Sequence, residues 1–306
     1  MRIAVVGLGV QGRKRRAIAG DAVVAVVDPV APGADFKTIE EVALDSYDAA
    51  CVCVPDEAKL PILRHLLRHG KHALVEKPLL GSGTDIRELI ELARANAATC
   101  YTAYNHRFEP HIATLKGILD SGSLGQIYLA RFFYGNGTAR DVRNSPWRDK
   151  GLGVFSDLGS HMLDMAHFLF GPHSEPGELW SVDRFENKAP DHVLFGYRGE
   201  RVLEMEATLL SWRNSFGLDL FGELGSAHIN CLCKWGPSTL TVRTRVLPSG
   251  RPAETIEVLE QPDPTWQLEY DYFLELCRNG GTNLENDIWI YEKIRELGHL
   301  IERNQS

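Results

Sequence analysis

Met1-Arg2-Ile3-Ala4-Val5-Val6-Gly7-Leu8-Gly9-Val10-Gln11-Gly12 decides the fold of this chain. An apolar run ends at Gly7 and gives way to a segment with helical spacing. A strand that closes on Gly-x-Gly-x-x-Gly and opens a helix is the turn that receives a dinucleotide pyrophosphate. Alone the pattern is weak, since Gly-rich turns also occur without ligands. It gains weight from Asp28, which ends the next apolar run, Val23-Val24-Ala25-Val26-Val27, at about the 20-residue spacing the motif requires. Gly7 allows the tight turn, Gly9 with Val10 and Gln11 lets backbone approach the phosphates, and Gly12 permits close helix–strand packing. Free N–H groups and the helix dipole favour the negative charge there. Asp28 would accept ribose hydroxyls and repel a 2′-phosphate. Pro29-Val30-Ala31-Pro32 brings no Arg to hold such a phosphate, so NAD is expected over NADP. Arg13-Lys14-Arg15-Arg16 places four cations in the first turn against the dipole. Lys14 and Arg15 are expected to face solvent, while Arg13 or Arg16 is placed to reach a 2′-phosphate if one binds.

Outward from this turn, continuous Val/Ile/Ala/Cys runs predict strands at 2–6, 23–27, 49–54, 72–76 and 99–104. Helical periods fall at 11–19, 38–45, 57–69, 83–96 and 109–120. Strands without alternation are buried on both faces, which predicts a doubly wound parallel α/β sheet. After 121 the pattern changes to many strands with short turns, as at Arg198-Gly199-Glu200, expected to form an antiparallel meander. Helices are expected at 154–169, 265–279 and 284–303. The domains are therefore 1–120, a dinucleotide-binding Rossmann domain, and 121–306, an α+β domain with a large, mainly antiparallel open sheet. The loop 135–150 is long enough to suspect a function.

The 306 residues suit two cores, and 44% apolar with 24% charged residues is ordinary globular composition. A net charge of −8 and a pI near 5.8 argue against nucleic acid and give no reason to expect a membrane surface. No apolar stretch is long enough for a membrane span, and the first run is too short for a signal peptide. Cys51 and Cys53 sit in a strand pattern, as Cys231 and Cys233 are expected to. No paired CxxC offers a zinc site, so reduced, packed thiols and a cytoplasmic location are expected.

Two further stretches carry chemistry. Glu76-Lys77-Pro78 follows the strand pattern His72-Ala73-Leu74-Val75, and ligands of open α/β sheets lie beyond the carboxyl ends of strands. In Gly153-Val154-Phe155-Ser156-Asp157-Leu158-Gly159-Ser160-His161-Met162-Leu163-Asp164, helical spacing puts Asp157, His161 and Asp164 on one face. Phe155, Leu158, Met162, Met165 and Leu169 make the buried stripe. A His between carboxylates suits a general base. A metal site at Asp157, His161 and Asp164 is disfavoured, because no His or Cys cluster completes it. Gly159 inside a helix costs about 1 kcal/mol against Ala, which suggests a close approach there.

In this order, the Gly-rich turn with Asp28, Glu76-Lys77-Pro78 and Asp157-x-Gly-x-His161 resemble the glucose–fructose oxidoreductase/inositol dehydrogenase (Gfo/Idh/MocA) family over essentially the whole chain. The resemblance implies hydride transfer between NAD and a secondary alcohol of a sugar, cyclitol or nucleotide-sugar. It implies that Lys77, Asp157 and His161 form the catalytic group and also contact substrate. Val54-Pro55 matches a strand-end turn near the cofactor, with Glu76, Lys77, Asn105, Trp147 and Arg148 as further cofactor contacts. Arg107 and Asp164 are expected at the substrate, and Arg107, Arg140, Arg143 and Arg148 are candidates to grip a phosphate or carboxylate. A homo-oligomer, dimer or tetramer, through the C-terminal sheet is also implied. Lys59 stands where the family commonly has a His, which is expected to change adenine-side contacts, and Gly151-Leu152-Gly153 replaces the usual three glycines. The alternatives are a relative that reduces and reoxidises NAD within one turnover, giving glycoside cleavage, elimination or epimerisation, and a non-enzymatic NAD-binding sensor. A dehydrogenase of dihydrodiols or imines also remains open.

Overall fold

Residues 1–145 and 148–304 are described by the computed structural model. In chain order the elements begin with β1 (Ile3–Val6), α1 (Val10–Ala19), β2 (Val23–Val27), β3 (Ala49–Val52), α2 (Asp56–Arg68), β4 (His72–Glu76), α3 (Gly83–Ala95), β5 (Cys100–Ala103) and α4 (Pro110–Asp120). They continue with β6 (Ile127–Gly135), α5 (Ala139–Arg143), α6 (Ser160–Phe170), β7 (Gly177–Asp183), β8 (His192–Arg198), β9 (Val202–Thr208), β10 (Ser215–Gly222) and β11 (Gly225–Asn230). Last come β12 (Ser238–Thr244), β13 (Ala253–Leu259), α7 (Thr265–Asn279) and α8 (Leu284–Arg303). Two compact units result: Met1–Asn105 with Trp266–Glu292, and His106–Thr265 with the chain from Lys293 onward.

The first unit holds a five-stranded parallel sheet in the order β2-β1-β3-β4-β5. A parallel bridge from Val27 to Phe36 extends it beyond β2. With that bridge counted as a strand, the order is the 3-2-1-4-5-6 of a dinucleotide-binding sheet. β1, β3 and β5 are buried at every residue, as the continuous apolar runs require. Their core joins Val6, Val52 and Val75 of the strands to Leu63, Leu66, Ile86 and Leu89 of α2 and α3, and to Leu284 of α8. α3 starts on a capping box in which Ser82 accepts from the Asp85 backbone and Asp85 returns to the Ser82 backbone. The helix expected over 38–45 shrinks to one 3-10 turn, Ile39–Glu41. Thr38 and Glu41 form a capping box there, but Val42 turns extended and Ser46 bonds back to Ala43, so a nucleated turn does not propagate.

The second unit holds an eight-stranded sheet, β13-β12-β11-β10-β6-β9-β8-β7. It is antiparallel except at its centre, where β6 and β9 run parallel, so the expected meander is broken there. Alternation along β8, β9, β10 and β11 puts Phe195, Met205, Leu218 and Ile229 into the core and leaves the other face wetter. α6 supplies Met162, Met165 and Leu169 to the core, and the Phe155 ring meets Phe195 edge-on at 5.0 Å. Each such side chain, fully buried, contributes about 1.5–3 kcal/mol. Among the described residues no helix is long and apolar enough to cross a membrane.

Candidate active site

The Gly-rich turn is shaped by contacts that only glycine permits. Gly7 has φ +92°, and a Cβ there would lie 2.4 Å from the Cys53 carbonyl oxygen. A Cβ on Gly12 would lie 1.7 Å from the Gly7 carbonyl oxygen, so the helix packs directly on the turn. At Gly9 nothing lies within 4 Å. Gly9 caps α1 without a side-chain bond, and no acid occupies the first turn, so the N–H groups and dipole remain available to an anion. Val10 and Gln11 are exposed beside it. One Asp28 carboxylate oxygen accepts from Leu8 N–H at 2.7 Å, and the other accepts from Val30 and Ala31 N–H. Burial raises the Asp28 pKa, but these three donors and the Arg13 charge outweigh it and leave the group below its ordinary value. The residues fit a dinucleotide: open donors for its pyrophosphate, room at Gly9, and a fixed carboxylate for a ribose.

The four cations behave otherwise than expected. α1 begins at Val10, so they occupy its middle rather than its first turn. Lys14 is exposed above the Trp266 ring, but Arg15 is only 1% exposed. Its Nε donates to Glu76 at 2.7 Å, its Nη2 donates to Glu269 at 2.6 Å, and its guanidinium stacks on Trp266 at 4.3 Å. Burial alone would lower its pKa; the two carboxylates outweigh that and keep it charged. Arg15 is therefore a buried bridge to the carboxylate of Glu76-Lys77-Pro78, and the solvent expectation is corrected.

Lys59 bonds to the same Lys77-Pro78 turn. It is 2% exposed, and its Nζ donates to Asp56 and to the Pro78 carbonyl, each at 2.7 Å. Burial lowers its pKa, Asp56 partly offsets that, and Lys77 adds to the lowering. It thus ties α2 to the Lys77-Pro78 turn through the Pro78 carbonyl. Lys77 itself is half-buried directly after β4. Val54 and Pro55 follow β3, and Asn105 follows β5 with little exposure.

In the second unit, Phe155–Gly159 forms a π-turn that leads into α6, an irregularity often found at functional sites. The close approach at Gly159 comes from within: its Cβ would meet the Phe155 ring at 2.8 Å. His161 is 8% exposed, and its Nδ1 lies 2.8 Å from Nδ1 of His106. Nε2 of His106 lies 3.3 Å from the Tyr134 hydroxyl, which burial keeps above its ordinary pKa. The buried Asp164 carboxylate takes the Arg107 guanidinium through both Nε and Nη2, rather than facing His161 as helical spacing suggested. Asp157 is half-exposed, 3.8 Å from Arg148. Arg143 pairs with Glu186 at the surface, and Arg140 is exposed. Trp147 lies outside the described residues. Among the described residues no group of three or more His, Cys, Asp or Glu could hold a metal ion.

Lys77, Glu76 and the Gly-rich turn belong to the first unit, and Asp157, His161, Asp164, Arg107 and Arg148 to the second. Sequence reasoning gave no role to His106, Tyr134 or Glu269. His106 lies next to Arg107 in sequence, but its partner is 55 positions away and no local pattern marks the pair.

Residues 1–104 match the family model for an oxidoreductase family with an NAD-binding Rossmann fold, and residues 112–228 match the GFO/IDH/MocA C-terminal domain. The chain is 28% identical over 252 residues to the uncharacterized oxidoreductase YdgJ of Escherichia coli, covering 74% of this chain and 70% of that protein. It is 27% identical over 187 residues to inositol 2-dehydrogenase of Rhizobium meliloti, covering 56% of this chain and 55% of that protein. Levoglucosan dehydrogenase in complex with NADH and levoglucosan shares the fold, with a TM-score of 0.84 at 16% identity over 99% of this chain and 97% of that one. The Gly-rich turn, the strand order and both domain matches place this chain in the Gfo/Idh/MocA family of NAD-binding oxidoreductases.

Proposed function

We propose that the protein catalyses reversible hydride transfer between NAD and a secondary alcohol of a sugar, cyclitol or nucleotide-sugar, as a cytoplasmic enzyme. One observation carries the reading. The carboxyl ends of the neighbouring strands β1, β3 and β4 present the Gly7–Gly12 turn, Val54-Pro55 and Lys77 along a single sheet edge. NAD, when bound, supplies the acceptor for the hydride. The N–H groups after Gly9 hold its pyrophosphate, and Asp28 takes a ribose hydroxyl and repels a 2′-phosphate. Lys77 polarises the substrate oxygen and stabilises the alkoxide as it develops. His161 takes the hydroxyl proton, and Asp157 orients a neighbouring substrate hydroxyl.

The test is thermal unfolding with NAD, NADP and then a panel including myo-inositol and levoglucosan, followed by an assay for accumulating NADH. A ligand of the native state raises stability by RT ln(1 + [L]/Kd). NAD is expected to stabilise more than NADP, and Asp28→Ala to erase that difference. Greater stabilisation by NADP would sink the role given to Asp28. Stabilisation by a polyol without any NADH would point instead to a reaction with no net redox change.

A further inference from the structure

Nδ1 of His161 and Nδ1 of His106 lie 2.8 Å apart, both rings buried and tilted 72° to each other. Two ring nitrogens at that distance share one proton: one donates and the other accepts. If His161 is to take a substrate proton on Nε2, that nitrogen must be bare, and a neutral imidazole then carries its proton on Nδ1. Nδ1 of His106 must consequently be the acceptor, which leaves the His106 proton on Nε2. That N–H faces the Tyr134 oxygen at 3.3 Å. Burial keeps Tyr134 a phenol, so its oxygen can accept. Every position in the chain of three is filled by one consistent set of protons.

We propose that His106, backed by Tyr134, is the positioning residue that sets the tautomer of His161. The inference rests on the reading of His161 as base. His106 accepts the Nδ1–H of His161 and so keeps that proton off Nε2. When Nε2 gains the hydroxyl proton, the same bond becomes charge-assisted, because neutral His106 accepts from an imidazolium. A carboxylate commonly does this for a catalytic histidine. Here the carboxylate three residues on, Asp164, is engaged with Arg107.

The tautomer can be read without substrate or cofactor. In the full-length protein with 15N-labelled histidine, long-range 1H–15N correlation spectra separate Nδ1–H from Nε2–H rings. Loss of signals in His161→Asn and His106→Leu identifies the two residues. The wild type is expected to show His161 as Nδ1–H and His106 as Nε2–H. In His106→Leu the acceptor is gone, and the His161 proton is expected to move to Nε2. His106→Asn, whose amide oxygen can stand where Nδ1 stood, is expected to restore Nδ1–H. In the dehydrogenase assay, kcat should fall about tenfold to a hundredfold in the Leu variant and recover in the Asn variant, with KM and NAD affinity within a few-fold. An Nε2–H tautomer at His161 in the wild type, or an unchanged His161 tautomer in His106→Leu, overturns the proposal. Should His106→Leu fail to fold, the wild-type spectrum still decides. Undiminished turnover in His161→Ala would instead sink the base reading, whatever the tautomer.

Discussion

The role proposed for Lys77 needs a fixed position, and the carbonyl of the next residue, Pro78, accepts from Lys59. Replacing Lys77 by Met, or His161 by Ala, is expected to cut turnover by about 10²–10⁴. Calorimetric titration should find NAD affinity within a few-fold of wild type in both variants, and undiminished turnover in either would remove that residue from the mechanism. Lys59→Met leaves the Pro78 carbonyl without that donor. It should cost about 1–3 kcal/mol of stability and lower kcat more than it raises KM. Equal kinetics in Lys59→Met would show that the tie does not reach Lys77. Sequence alone put Lys77 and His161 forward, from residue type and address in the fold pattern. Lys59, His106 and Tyr134 have partners far along the chain, and no spacing rule reaches that far.

Arg15 pins three elements at once: α1 that carries it, β4 through Glu76, and α7 through Glu269. A buried charge is stabilising only while its partners remain, and removing one partner of a buried pair costs about 3–5 kcal/mol. Arg15→Met strands two carboxylates, so urea unfolding should register a loss of that size; a loss below about 1 kcal/mol, the scale of an exposed pair, would refute the bridge. Local rules led toward solvent, because four successive cations on a helix normally face water. The strands of the first sheet were legible, since Ile3–Val6, Val23–Val27 and His72–Glu76 are mainly apolar runs with a glycine or proline within two residues of their ends. The segment 38–45 misled because its capping box is a genuine helix start with no stretch behind it to continue the helix. α7 and α8 were legible from periodicity, but their carboxylates' partners were not.

For the whole molecule, acid stability rests in part on His167 and His173, which burial lowers from about 6.5 to about 4. Between those values the unfolded chain binds protons that the native state refuses, so stability rises with pH there. It should be complete above about pH 6.5 and fall as the pH drops toward about 4. A urea midpoint followed across that window should fall less steeply in the His167→Gln, His173→Gln double variant, and an equal fall would refute the assignment. We also expect a homo-oligomer formed through the eight-stranded sheet, to be checked by light scattering; a monomer at all concentrations would refute it. That many strands follow residue 121 was visible in the sequence, whereas the parallel pairing of β6 with β9 was not, since strand pairing over about 70 positions leaves no local mark. Residues 266–292 have a consequence for synthesis. Leu284 fills the first core, and Thr102 is bonded to Asn283 and Asp287. The ribosome therefore delivers the dinucleotide turn well over 200 residues before the segment that completes its support. Until α7 and α8 emerge, the nascent first unit holds Arg15 without Glu269 and a sheet with its closing residues still untranslated.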